Sequence, residues 1–184
     1  MFVVQGEMAT KLSDLVPGHA VDLVMPYISR PAMQDLLNLK PLGLRLITQV
    51  VPRDVAVGVM SLDALSAALA AGATIKVLGT GHRLHAKVLL SDSIRALVGS
   101  ANLTLAGMHT NVEAGVLLSG PECEAVSTWF EELWNEARTI DQAFVEEARR
   151  RSAAIAPPPP AGSTIRSRRR TTFAPRSSVV SRET

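Results

Sequence analysis

An α/β fold, with a mixed central β-sheet flanked by helices in a single domain, is predicted from three observations. Apolar, β-favouring runs at residues 20–27, 44–51 and 74–78 alternate with segments of helical periodicity, the pattern of a layered fold with at least part of its sheet parallel. Residues 84–98 then read as two strands joined by Asp92-Ser93, which adds an antiparallel hairpin. The chain has 184 residues, enough to bury one core without disulfide staples.

Residues 7–15 read as a first helix with Met8, Leu12 and Leu15 on one face, ended by Val16-Pro17-Gly18. Residues 20–27 form a buried strand that leaves into a loop at Pro26. Ser29 caps the next helix, Pro31 suits an early helical position, and Met33, Leu36 and Leu37 are its buried side. Residues 44–51 are a second strand, closed by Pro52. An alanine-rich helix opens at Ser61-Leu62-Asp63, repeats Leu62, Leu65 and Leu69 at helical spacing, and stops at Gly72. Residues 74–78 and 112–118 add strands, and residues 121–151 read as helix, bent near Thr139-Ile140-Asp141. Val126, Phe130, Leu133 and Trp134 give that helix an apolar stripe which Phe144 and Ala148 continue. Such a stripe is expected to be core.

Charge divides the chain. Residues 1–150 carry 12 Lys+Arg against 16 Asp+Glu, a net of −4, whereas residues 151–184 carry 7 against 1, a net of +6. The pI of about 9.0 therefore belongs to the tail. Residues 1–151 are expected to be one folded domain. Residues 152–184 are expected to be a Pro-rich linker, with the run Pro157 to Pro160, followed by a basic disordered tail. Cys123 is the single cysteine, so an internal disulfide framework and a cysteine-based zinc site are excluded. Its plain reading is a small packing residue. With no basic N-terminal segment leading into an apolar run, and no uncharged stretch of membrane-span length, a cytoplasmic location is expected. Two tryptophans and four phenylalanines are too few for an aromatic nucleic-acid platform.

The chemistry concentrates between residues 84 and 113. His85 and Lys87 are two apart in a strand-like run, so they share a face while Ala86, Val88 and Leu90 pack on the other. If Asp92-Ser93 is a two-residue turn, Ser91 faces Ile94, His85 faces Ser100 and Lys87 faces Val98. Ser100 and Asn102 then join the His85–Lys87 face, and a slip of one residue would send Ser100 to the far side. Gly99 lets the chain turn at the strand exit, and Glu113 starts another strand with Gly115 leaving room beside it. Imidazole, ammonium, hydroxyl and amide groups converging on one spot suit a tetrahedral anion such as phosphate. A neutral histidine can attack phosphorus, and a nearby carboxylate can fix its tautomer. Taken singly, an exposed histidine or lysine is ordinarily just solvated and a turn asparagine serves the backbone. The joint placement favours a site.

His85-Ala86-Lys87, Asp92, Gly99-Ser100 and Asn102 compose the pattern H-x-K-x4-D-x6-G-S-x-N. With Asn102-Leu103-Thr104, Gly107 and Asn111-Val112-Glu113, this resembles the phospholipase D superfamily, and Val24-Met25-Pro26-Tyr27-Ile28 resembles its early strand and loop. The likeness covers residues 20–134 and implies the phospholipase D-like fold. It also implies a metal-independent, cofactor-free phosphodiester transfer in two steps. His85 would be the nucleophile, Lys87 and Asn102 would hold phosphoryl oxygens with Ser100 nearby, and Glu113 would orient the histidine. Asp92 and Gly99 are assigned structural roles, Asp92 because the hairpin places it in the turn. Such enzymes use two motif copies, and His19, His82 and His109 lack a lysine two residues on. A twofold homodimer with a shared site is therefore expected.

Small size, a single motif and the absence of a membrane-insertion segment favour a nuclease acting on DNA or RNA. Arg166, Arg168, Arg169, Arg170 and Arg176 of the tail could hold a nucleic-acid backbone, although they could equally touch anionic lipid or nothing specific. The alternatives are a phospholipase D or phosphatidyl transferase acting on lipid headgroups, and a non-catalytic binding subunit of a larger defence or repair complex.

Overall fold

The computed structural model describes residues 1–4, 7–79, 81 and 83–155. Its frame is an eight-stranded mixed sheet in the order β1-β7-β6-β5-β2-β3-β4-β8. Strand β1 (Phe2–Val4) precedes α1 (Met8–Leu15), and β2 (Ala20–Val24) leads into α2 (Arg30–Asn38). Then come β3 (Gly43–Thr48), a short α3 (Pro52–Ala56), α4 (Leu62–Ala70) and β4 (Thr74–Val77). The hairpin strands β5 (Val88–Ser91) and β6 (Arg95–Gly99) lead through a π-helical turn at Ala106–Thr110 to β7 (Ala114–Ser119). The chain closes with α5 (Pro121–Glu136), β8 (Arg138–Thr139) and α6 (Gln142–Ala153).

The helix starts follow their caps. Ser29 Oγ accepts from Ala32 N, Ser61 Oγ from Ala64 N, and Asp141 Oδ1 from Phe144 N. Each satisfies one of the orphan donors of a first turn. The predicted α/β character holds: β2, β3 and β4 are parallel, with α2 and then α3 and α4 crossing between them, and the remaining pairings are antiparallel.

Side-chain alternation gives the sheet two cores. Leu23, Leu46, Ile75, Leu89 and Leu97 meet Leu15, Met33, Leu36, Leu65 and Val145 on one face. Val24, Ile47, Val88, Leu90 and Ala96 meet Cys123 and Phe130 of α5 on the other. Arg45 is clamped between Asp22 and Glu131 at 2.6–2.7 Å and lies over the rings of Phe130 and Trp134. Trp134 is thus spent on packing α5. Burial pushes the Cys123 thiol up, as its packing role requires.

Several expectations are corrected. The stripe predicted across residues 121–151 divides, because β8 pairs antiparallel with β4 and carries the chain around the sheet edge. Phe130 therefore lies in the second core and Ala148 in the first. Strands β1 and β8 and helix α3, of three, two and five residues, are too short to leave a periodic signal. Helix α6 runs to Ala153, with Ser152 buried and donating to Ala148 O. Pro157 to Pro160 and the tail arginines lie outside the described residues.

The hairpin register differs by one residue. Asp92 and Ser93 do form a turn, both with positive φ, and Ile94 N donates to Ser91 O at 3.1 Å. The ladder nevertheless resumes with Ser91 opposite Arg95, leaving Ile94 as an extra, exposed residue. The predicted register would have set Arg95 against Leu90 in the core under α5. The bulge moves it to the opposite face, where Arg95 Nη2 lies 3.3 Å from His19 Nε2. A buried, unpaired guanidinium costs far more than one bulged residue.

Candidate active site

The carboxyl ends of the parallel strands β2, β3 and β4 open at one end of the sheet, where β6 also ends and β5 and β7 begin. Crevices at this end of an α/β sheet are where ligands ordinarily bind. Residues 84–87 run into β5 outside the ladder, contrary to the strand predicted from residue 84. Gln49, just past β3, holds this run: its Oε1 accepts from Leu84 N at 3.2 Å and its Nε2 donates to Gly79 O at 3.1 Å. Leu84 and Ala86 turn into the second core, which directs His85 and Lys87 the other way.

Lys87 is only 5 % exposed and lines a small, mostly apolar pocket with Leu23, Met25, Leu89 and Met108. Its Nζ donates to His85 O at 2.6 Å, bracing the backbone beneath the histidine. Burial lowers its affinity for a proton, and the charge of Glu113 opposes that shift. His85 itself is exposed.

The changed register puts Gly99, not Val98, beside Lys87, and Gly99 N donates to Lys87 O at 3.1 Å. Ser100 consequently does not face His85 across the hairpin. It reaches the site through β7 instead: Ser100 N donates to Ala114 O at 3.0 Å, Ala114 N donates to Ser100 Oγ at 3.2 Å, and Ser100 Oγ donates to the Glu113 carboxylate. The other oxygen of Glu113 accepts from Asn111 Nδ2 at 3.0 Å. Glu113 is thus held by Ser100 and Asn111 in this chain, rather than by its own His85. Gly99 is required by this close approach, since a Cβ there would meet Ala114 O at 2.7 Å.

Asn102 lies between Ala101 and Leu103, both buried, and Leu103 bridges to Ile28 while its carbonyl accepts from Ser29 N at 2.9 Å. Gly107 backs it so closely that a Cβ would stand 2.4 Å from Asn102 O. Asn102 Oδ1 is buried and has no hydrogen-bond partner among the described residues. Leaving a buried acceptor unpaired costs about 1–3 kcal/mol, and native chains tolerate this chiefly where a ligand or water completes the group.

Asp92 sits in the turn at the opposite end of β5. It accepts from Ala20 N at 2.8 Å, its Oδ2 is 2.5 Å from His19 Nδ1, and its own N donates to Ala20 O. The His19 hydrogen bond, reinforced by Ala20, holds the carboxyl below the usual range. Its place is a clasp between the hairpin and β2. Among the described residues no group of three His, Cys, Asp or Glu side chains is placed to hold a metal ion.

The family model described as cardiolipin synthase, PLD-like domain, matches residues 17–134. The chain belongs to the phospholipase D-like family. No curated protein sequence matches it. Among solved structures, this phospholipase D-like chain is similar to Nuc, a phospholipase D family member from Salmonella typhimurium, at 15% identity and TM-score 0.61, covering 77% of this chain and 99% of that one. NucT from Helicobacter pylori gives 9% identity and TM-score 0.51, covering 76% and 98%. Phosphatidylserine synthase from Haemophilus influenzae gives 13% identity and TM-score 0.53, covering 83% of this chain and 44% of that one. These likenesses show the phospholipase D-like fold. No described helix is long and apolar enough to cross a membrane.

Sequence reasoning missed three residues of the crevice. Gln49 carries no signal apart from its position after a strand. Tyr27 carries no signal beyond its place in the loop after the first parallel strand. Arg83 has a legible sign, because it stands two residues before His85 as Lys87 stands two after.

Proposed function

We propose that this chain is a metal-independent phosphodiesterase that cleaves nucleic acid through a phosphohistidine on His85, as a homodimer. The observation that carries this is the pairing of an exposed His85 with a buried Lys87 on the same side of one run, opposite Leu84 and Ala86. A ring nitrogen of His85 attacks phosphorus, the P–O bond to the leaving group breaks, and that oxygen takes a proton from the partner's His85. Water then gives a proton to that same histidine while its oxygen displaces the imidazole from phosphorus. Lys87 supplies positive charge to the phosphoryl oxygens, the Asn102 side chain would donate to them from Nδ2, and Ser100 and Glu113 form the polar wall, with Glu113 available to orient a histidine. In a nucleic-acid substrate the tail arginines Arg166, Arg168, Arg169 and Arg170 would add backbone contacts.

Cleavage of labelled single- or double-stranded DNA or RNA in excess chelator is the expected result. The second reading, transfer or hydrolysis at lipid headgroups, is favoured by the description of the matching family. Turnover of phospholipid vesicles alone would establish it and remove the nuclease reading. Loss of all turnover with chelator would remove the mechanism.

The shape of the sheet supports a second copy. Phe2 and Val4 pair with Val116 and Ala114, so the four share one face, the same as that of α5. Leu118 of β7 lies under α5, but Val116 is 37 % and Phe2 66 % exposed. This uncovered apolar strip lies at the edge of the sheet, on the face opposite His85 and Lys87, where a twofold axis would lay it against itself. Val116→Lys is expected to give monomers in sedimentation and to lower turnover by about 10²-fold or more, the usual worth of a general acid. A persistent dimer would move the interface elsewhere, and an active monomer would remove the need for a second histidine.

A further inference from the structure

Three side chains of one extended run, not two, turn toward the crevice. Leu84 and Ala86 pack into the second core, and Arg83 lies on the same alternation as His85 and Lys87. Its guanidinium is fixed without being covered. Arg83 Nη2 donates to Tyr27 Oη at 2.6 Å, Asp54 Oδ2 lies 3.8 Å away, and the side chain is 70 % exposed. Tyr27 follows β2 and Asp54 belongs to α3 after β3, so both partners stand at the end of the sheet that holds the site. One edge of the fork is held while the rest of its donors face solvent, an arrangement suited to a phosphate.

We propose that Arg83 binds the phosphate adjacent to the one that His85 attacks, making the site selective for a chain of phosphodiesters over an isolated one. This rests on the catalytic reading above and names its substrate class. Two residues of extended chain advance about 6.6 Å. That is close to the step between successive phosphates of an extended single strand, which carries one charge per nucleotide. Lys87 grips the reacting phosphate from the floor of the crevice and Arg83 its neighbour at the rim. Tyr27 acts as a positioning residue through its hydroxyl.

The experiment compares wild type, Arg83→Gln, Arg83→Lys and Tyr27→Phe on a short single-stranded oligonucleotide and on bis(4-nitrophenyl) phosphate, which has a single phosphodiester. Arg83→Gln is expected to raise KM for the oligonucleotide about tenfold at low salt, with kcat and the small-diester rate little changed. Arg83→Lys keeps the charge without the fork and falls between, as does Tyr27→Phe. The gap between wild type and Arg83→Gln narrows with added salt, which screens an exposed contact. Equal losses on both substrates would show that Arg83 only braces the run before His85, and unchanged KM would show that it touches no phosphate; either overturns the proposal. Oligonucleotide affinity, measured by fluorescence anisotropy, is a separate readout. If wild type cleaves nothing, the catalytic reading fails, while an affinity lost in Arg83→Gln still upholds the contact and an unchanged affinity ends it. Vesicles containing a two-phosphate lipid are the competing polyanion, and an effect of Arg83→Gln confined to them would overturn the nucleic-acid assignment.

Discussion

His85→Ala is expected to lower turnover by about 10⁴-fold or more, because the variant loses the atom that bonds to phosphorus in the proposed mechanism. The fold should be indifferent. His85 is exposed, and substitutions at such positions usually stay within about 0.5 kcal/mol. Sedimentation should show the same oligomeric state as wild type, since the apolar strip of Phe2, Val4 and Val116 is untouched. A substrate labelled at phosphorus should leave label on wild-type protein quenched in alkali and none on His85→Ala. Near-wild-type turnover in the variant would end the phosphohistidine reading, and label retained by it would place the nucleophile elsewhere.

Lys87→Met should separate activity from stability. In the proposed mechanism the ammonium binds the reacting phosphate, so its loss is expected to cost about 10²–10³-fold in kcat/KM. Stability should rise. Burial lowers the pKa of Lys87 below the ordinary 10.5, so the folded chain pays for a charged lysine that the unfolded chain carries freely. The penalty is fully present at neutral pH. It fades as pH climbs through the lowered folded value toward the unfolded one, where the buried amine is neutral. An apolar side chain of similar length avoids it, for a gain of about 1–2 kcal/mol in urea denaturation at pH 7. That gain should narrow in alkali, and wild-type activity should fall at a pH below the range of an ordinary lysine. A variant less stable than wild type at pH 7 would mean that the Nζ contact with His85 O outweighs the burial cost.

Local chemistry made much of the site legible. The spacing of His85 and Lys87 on one side of an extended run depends only on the two-residue period of the backbone, and Leu84 and Ala86 do pack away from them. Ser29, Ser61 and Gly72 likewise punctuate the chain through their own backbone and side-chain preferences, and the helices begin and end beside them. The arrangement around Ser100 was a different matter. The turn at Asp92-Ser93 was readable, but the ladder beyond it was not, because the register depends on where Arg95 avoids burial and on how closely Gly99 meets Ala114.

The sequence by itself determined the family, the α/β alternation and the identity of the groups that could meet a phosphate, since these follow from residue types and short spacings. Tertiary structure alone decided that Ser100 reaches the crevice through β7 and Glu113, and that α5 and α6 lie on opposite faces of one sheet. It also decided that Gln49 and Tyr27 hold the run containing His85. Each of these depends on contacts between residues far apart in the chain, where burial and hydrogen-bond satisfaction choose among registers that local propensity leaves nearly equal.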